Sequence, residues 1–107
     1  MVNPEIRNIV TRFVEALIKK GIRVERVVLY GSYASGKIHA GSDIDLAIIS
    51  PDFGKDRFEE GKMLLQAAWR IDPRIEAVPI SLESYNNDTW VPLIYEIRQH
   101  GVELKVA

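Results

Sequence analysis

The sequence predicts an α/β domain, a mixed β-sheet of about four strands flanked by helices, and three observations carry that prediction. Apolar residues recur at helical spacing near the start and are closed off by a glycine. Two apolar runs of strand character follow, joined by a Gly-Ser turn and a polar loop. Helical and strand patterns then alternate, giving the order helix, strand, strand, helix, strand, helix, strand.

Asn3 is a good N-cap and Pro4 suits the first helical position. Ile6, Ile9, Val10, Phe13, Leu17 and Ile18 then form one stripe that stops at Gly21, so the first helix is expected over roughly residues 4 to 20. The stripe reads as core, and Lys19 and Lys20 complement the helix C-terminus. Val24 to Tyr30 reads as the first strand, and its run of Val27, Val28 and Leu29 implies burial on both faces, as in a central strand. A loop from Tyr33 to Ser42 leads to a second strand from Ile44 to about Ser50, ended by Pro51.

After Asp52-Phe53-Gly54-Lys55 comes a helix with apolar positions at Phe58, Met63, Leu64, Ala67, Ala68 and Trp69. Gly61 interrupts it, and Trp69 is expected in the core. Ile75 to Ile80 reads as a third strand, in which Pro79 marks an edge nearby. Ser81-Leu82-Glu83-Ser84 looks like a helix start, where an acid is explained by capping alone. Asp88 or Thr89 is expected to cap a last helix from about Trp90 to His100, with Leu93, Ile94 and Ile97 on one face and Gly101 at its end. Val102 to Val106 is a short closing strand.

The candidate chemistry concentrates between Leu29 and Leu46. Alternation along a strand puts Asp43 and Asp45 on one face, with Ile44 and Leu46 on the other. Two carboxylates so close repel each other, and a divalent cation with a preference for oxygen ligands, Mg²⁺ or Mn²⁺, would neutralise them. Gly31 has no Cβ and lets a ligand approach the backbone, and Ser32 offers its hydroxyl and its amide to a phosphate oxygen. A lone Gly-Ser is a common turn and a lone Asp-x-Asp is often a solvated strand end; together, between two strands, they favour a nucleotide-metal site. Tyr30 beside the turn either borders that site or packs under the loop. Glu76 is an acid within an apolar run, costly if half-buried without a partner. Glu83 is its rival as a third acid.

Gly31-Ser32, ten intervening residues and then Asp43-x-Asp45 resemble the nucleotidyltransferase superfamily of DNA polymerase β, and the shortness of the chain points to its minimal nucleotidyltransferase branch. The resemblance implies that Gly31 and Ser32 hold a nucleotide triphosphate, that Asp43 and Asp45 bind Mg²⁺ or Mn²⁺, and that a third acid lies on a later strand. Glu76 matches that position, where Asp is commoner. Implied with it are metal ions flanking an in-line displacement at the α-phosphate, departure of pyrophosphate, and Glu76 as metal ligand or general base. Ser35 stands where many members carry an arginine that helps hold the triphosphate, and Lys37 is the cation at hand. Ser42 is expected to tie the loop to the acids or cap the local turn, and His39 reads as a surface histidine.

Members of the minimal branch are commonly paired with an all-helical HEPN-type protein, often as toxin and antitoxin, and some transfer AMP to a partner tyrosine. The resemblance therefore implies Mg²⁺-dependent transfer of AMP from ATP to a hydroxyl, a tyrosine of a HEPN-type toxin. Two alternatives stand beside it: an antitoxin that neutralises its partner by docking without catalysis, and an adenylyltransferase of small molecules, which usually needs a further lobe.

At 107 residues the chain has room for one domain over 1–107 and none for a second substrate-binding lobe, so part of the acceptor site is expected from another chain. With 14 basic and 15 acidic residues and a net charge of -1, it has no field to grip DNA or RNA. The absence of cysteine excludes disulfides and thiolate metal sites. The start lacks the form of a signal peptide and no apolar run reaches membrane-spanning length, so a cytoplasmic protein without membrane contact is expected, with a homodimer left open.

Overall fold

The computed structural model describes residues 2–37 and 43–105. Helix α1 (Pro4–Lys19) starts as its residues dictate: the Asn3 side chain accepts the Glu5 amide at 2.7 Å and Pro4 occupies the first turn. Its stripe of Ile6, Ile9, Val10, Phe13, Val14 and Leu17 is buried. Ile18, expected in that stripe, is exposed, because it lies one residue and about 100° beyond Leu17; Val14 takes the place on the buried side.

Strand β1 (Arg26–Tyr30) is central, as its three consecutive apolar residues require, and begins two residues later than expected. It pairs antiparallel with β2 (Ile44–Ser50) on one side and with β4 (Val102–Leu104) on the other. Val106, expected in β4, lies outside the described residues. After β1 comes a short helix, α2 (Ser32–Ser35). Helix α3 (Arg57–Ile71) then crosses over to β3 (Ile75–Ser81), which runs parallel to β2. The sheet is thus mixed, in the order β3-β2-β1-β4. Pro79 sits on the edge strand β3, where its missing amide costs no ladder bond.

Helices cover both faces. Phe13 and Leu17 of α1 and Leu64 and Ala67 of α3 join Val27, Leu29, Leu46 and Ile48 in one apolar cluster. On the opposite face Val28, Ala47, Ile49 and Ile80 cluster with Tyr85 of α4 (Leu82–Asn87) and with Ile94 and Ile97 of α5 (Pro92–His100).

Two expectations are corrected here. Trp69 is 66% exposed instead of core, and Phe58 is 76% exposed, because α3 turns the small side chains Ala67 and Ala68, with Leu64, toward the sheet; Trp69 is one step past Ala68 and points away. The last helix begins at Pro92, and neither Asp88 nor Thr89 caps it: Val91 is its N-cap without a side-chain bond, while Asp88 closes α4. Among the described residues no helix is long and apolar enough to cross a membrane.

Candidate functional site

Three strands bring Tyr30, Asp45 and Glu76 into one row. Tyr30 is the register partner of Asp45 across the antiparallel pair, and Asp45 that of Glu76 across the parallel pair. Register partners point the same way, so all three emerge on the face that carries Val28, Ala47 and Ile80. Asp45 is half-buried and Glu76 is exposed on the edge strand. Asp43 precedes β2, exposed and two residues from Asp45, on the same side by alternation.

Among the described residues no ion pair compensates the row. Burial, the charge of Glu76, a hydrogen bond with Glu76 and the charge of Asp43 push the Asp45 carboxyl up to about 6. Burial, then the charges of Asp45 and Glu76, push the Tyr30 hydroxyl up to about 12. None of the ion pairs among the described residues involves Asp43, Asp45 or Glu76.

Gly31 fixes the turn beside this row. It is the N-cap of α2 with φ 71 and ψ -144, a backbone that side chains disfavour, and a Cβ there would run into Oδ2 of Asp45. The first amides that bond back into the turn are those of Ala34 and Ser35, at 3.1 and 3.0 Å from the Gly31 carbonyl. The amides of Ser32 and Tyr33 belong to the first turn, where a helix has no acceptor of its own to offer. Ser35 is spent locally: its hydroxyl donates to the Ser32 carbonyl at 3.3 Å and accepts the Lys37 amide at 3.4 Å. Lys37 is exposed. Ser42 and His39 lie outside the described residues.

The donor chemistry fits a hard divalent cation: oxygen only, excess negative charge, and a carboxylate whose ionisation costs stability until a positive charge arrives. Asp45 and Glu76 stand side by side in register, while Asp43 acts on Asp45 through its charge. Among the described residues no three His, Cys, Asp or Glu side chains are gathered closely enough to hold an ion as they stand. Three like charges without a counter-ion have no reason to close up.

Glu83, the rival third acid, sits exposed in the first turn of α4, which Ser81 caps by accepting the Ser84 amide at 3.1 Å. It lines a cavity of about 490 Å³ with Trp90 and Leu93, none of whose lining residues belongs to the acid row. A second cavity, about 380 Å³, is bounded by Tyr30, Gly61, Leu65, Glu76 and Val78. Its signal in the sequence was Gly61, a helix-interior glycine whose reason was not local.

The family model described as nucleotidyltransferase domain matches residues 10–98. Among solved structures, a candidate nucleotidyltransferase from Sulfolobus solfataricus is similar with a TM-score of 0.67 and 17% identity, over 92% of this chain and 78% of that one. A toxin-antitoxin with AMP-PNP is similar with a TM-score of 0.56 and 22% identity, over 91% of this chain and 73% of that one. A mutant of the toxin-antitoxin MntA-HpeT is similar with a TM-score of 0.52 and 20% identity, over 88% and 70% of the two chains. No curated protein matches the chain.

Proposed function

This chain belongs to the nucleotidyltransferase domain family, and from that premise we propose that it transfers AMP from ATP, with Mg²⁺ or Mn²⁺, to a tyrosine hydroxyl of a HEPN-type toxin in the cytoplasm, as an antitoxin. The observation that carries this reading is the register pairing of Asp45 with Glu76, with no ion pair to either among the described residues, against the Gly31 turn. The likeness to toxin-antitoxin structures, one of them with AMP-PNP, supports the choice of nucleotide and partner.

In this reading Asp43, Asp45 and Glu76 hold the cation. When bound, it would supply positive charge at the α-phosphate and the leaving pyrophosphate. The first-turn amides of α2 and the Ser32 hydroxyl hold phosphate oxygens, with Lys37 as a point charge and Ser42 steadying the loop. Gly31 keeps the backbone close enough to Asp45 for phosphate and acids to share one space. Glu76 is exposed beside a cavity, where it accepts the proton of the incoming hydroxyl. That oxygen bonds to the α-phosphorus as the bond to pyrophosphate breaks. Tyr30, half-buried beside Asp45, borders the row.

Ser35, bonded into its own turn and offering no charge to a triphosphate, favours a second reading in which the chain neutralises its partner by docking alone. Incubation with ATP labelled at the α-phosphate, Mg²⁺ and a HEPN-type helical protein as candidate partner separates the two. Label on the partner, lost in Asp45→Asn, is expected. Transfer that persists unchanged in Asp45→Asn refutes the assignment of the acids, and tight binding without transfer favours docking.

A further inference from the structure

We propose that Arg74 is a positioning residue for the acid row: its side chain locks the turn from α3 into β3, and its carbonyl thereby holds shut the end of β2 on which Asp43 and Asp45 stand. The proposal deepens the reading above and rests on it for the identity of the ion, not for the closure of the strands.

The turn Asp72-Pro73-Arg74 joins α3 to β3, and one carboxylate organises it. Oδ1 of Asp72 accepts the Arg74 amide at 2.9 Å and its Nε at 3.1 Å, while Oδ2 accepts Nη2 at 2.9 Å. Nη2 also reaches Oε1 of Glu5 on α1, at 3.3 Å. Three donors of one residue on one carboxylate leave the Arg74 backbone little freedom, and the planar guanidinium fork gives the hold its direction. Asp72 is itself anchored, since its amide closes α3 on the Ala68 carbonyl at 2.9 Å and its carbonyl accepts the Ile75 amide at 3.1 Å.

From that fixed turn the Arg74 carbonyl accepts the Ile44 amide at 2.8 Å. Ile44 opens β2 and stands between Asp43 and Asp45, and Glu76 follows Arg74 by two residues. Among the described residues this bond is therefore the outermost rung between β2 and β3 at the end that carries the acids. Strand ends open first, and the mutual repulsion of Asp43, Asp45 and Glu76 drives this end apart until a cation arrives. An ion shared by acids on two strands needs those strands at one separation.

Arg74 acts by placement and not by charge. Its guanidinium is spent on Asp72 and Glu5, and among the described residues it forms no ion pair with the row. The far end of β2 supplies the control. There Arg23 offers the same three donors to Asp52, its amide at 2.8 Å, Nε at 3.2 Å and Nη2 at 2.7 Å, with no member of the acid row beside it.

Arg74→Met, Arg74→Lys and Arg23→Met are compared with the wild type by hydrogen exchange of the Ile44 amide, calorimetric titration with Mg²⁺ alone, and thermal melting. In Arg74→Met the Ile44 amide is expected to exchange about tenfold faster and Mg²⁺ affinity to fall about tenfold, the scale on which loss of an outer support acts at a metal site. Arg74→Lys, which keeps the charge without the fork, is expected to recover part of both. Arg23→Met is expected to lower Tm about as much as Arg74→Met and to leave both readouts unchanged. Should Arg74→Met fail to fold, Arg74→Lys decides on the same two readouts. Unchanged Ile44 exchange in the Arg74 variants overturns the clamp, and faster exchange with unaltered Mg²⁺ affinity overturns the positioning role. Arg23→Met moving both readouts as far as Arg74→Met overturns the proposal as well, because the effect is then a general loss of stability. A wild type that binds Mg²⁺ but transfers nothing to a HEPN-type partner brings down the transferase reading and leaves the role of Arg74 standing; a wild type that binds no Mg²⁺ overturns both.

Discussion

At one end of β2, Asp45 stands beside Glu76 with no ion pair among the described residues, and its carboxyl is pushed up to about 6. Just past the other end, Asp52 accepts the Arg23 backbone amide at 2.8 Å and its guanidinium at 2.7 Å, and its carboxyl is held down at about 2. The two residues are chemically identical and seven positions apart along one stretch of chain. Asp52 has its counter-charge supplied from within the fold and serves the fold. Asp45 has none among the described residues, at a cost in stability, and in the proposed reading its charge is left for a cation brought from outside.

Substitution at Asp45 tests the contrast most severely. Asp45→Asn is expected to reduce nucleotidyl transfer by about a thousandfold or more, the scale on which loss of an electrostatic stabiliser acts. The same variant is expected to be more stable than the wild type without metal at pH 8, by about 1 kcal/mol once solvent screening of a partly exposed group is discounted. The sign follows from the direction of the shift. A folded-state value of about 6 against an ordinary 3.8 means that native Asp45 is favoured when protonated, so the wild type loses stability as pH rises from about 4 through about 6. Denaturant unfolding across that range should show the advantage of Asn appearing with rising pH and absent below about pH 4; a constant difference would dissociate it from this titration.

Gly31→Ala forces a Cβ onto the Asp45 carboxylate at a positive φ, and should destabilise the chain by about 1–3 kcal/mol and reduce ATP affinity together. Calorimetry of the variant checks both, and an unaltered Tm would mean that the turn relaxes freely. Mg²⁺ should raise the Tm of the wild type in a concentration-dependent way and leave that of Asp45→Asn nearly unmoved, since only a native state that binds the ion gains from it.

Asp52→Asn should show the smallest effect, a slight loss of stability with transfer unchanged. Its folded value is depressed, so the stabilisation it gives is present above about pH 4 and lost as pH falls toward about 2. Thermal melts of the two proteins should therefore converge in acid, whereas those of Asp45→Asn and the wild type separate toward neutrality. The two ends of β2 would then titrate in opposite directions.

Much of the fold was legible because its signals are local. Asn3, Pro4 and the period of Ile6, Ile9 and Phe13 specify α1 with only neighbours in view, and the three apolar residues of β1 announce a strand covered on both sides. Trp69 was misread for a reason of the same kind. Helical period tells which residues share a face, but α3 carries two apolar faces, and which one meets the sheet is settled by the fit of Leu64, Ala67 and Ala68 against it. Likewise the missing side-chain cap of α5 follows from Pro92 and from where the chain leaves α4.

The sequence by itself determined the residue types of the candidate site, the alternation that sets Asp43 and Asp45 on one side, and the glycine-serine bend beside them. Period-two and period-3.6 patterns and turn chemistry act over a few residues, so they survive in one dimension. Only the tertiary structure decided that Glu76 stands in register with Asp45 through a parallel pairing across thirty-one residues of chain, and that Gly61 and Leu65 open beside it. Strand register and helix rotation are set by long-range packing, and no local pattern encodes which distant neighbour a side chain will meet.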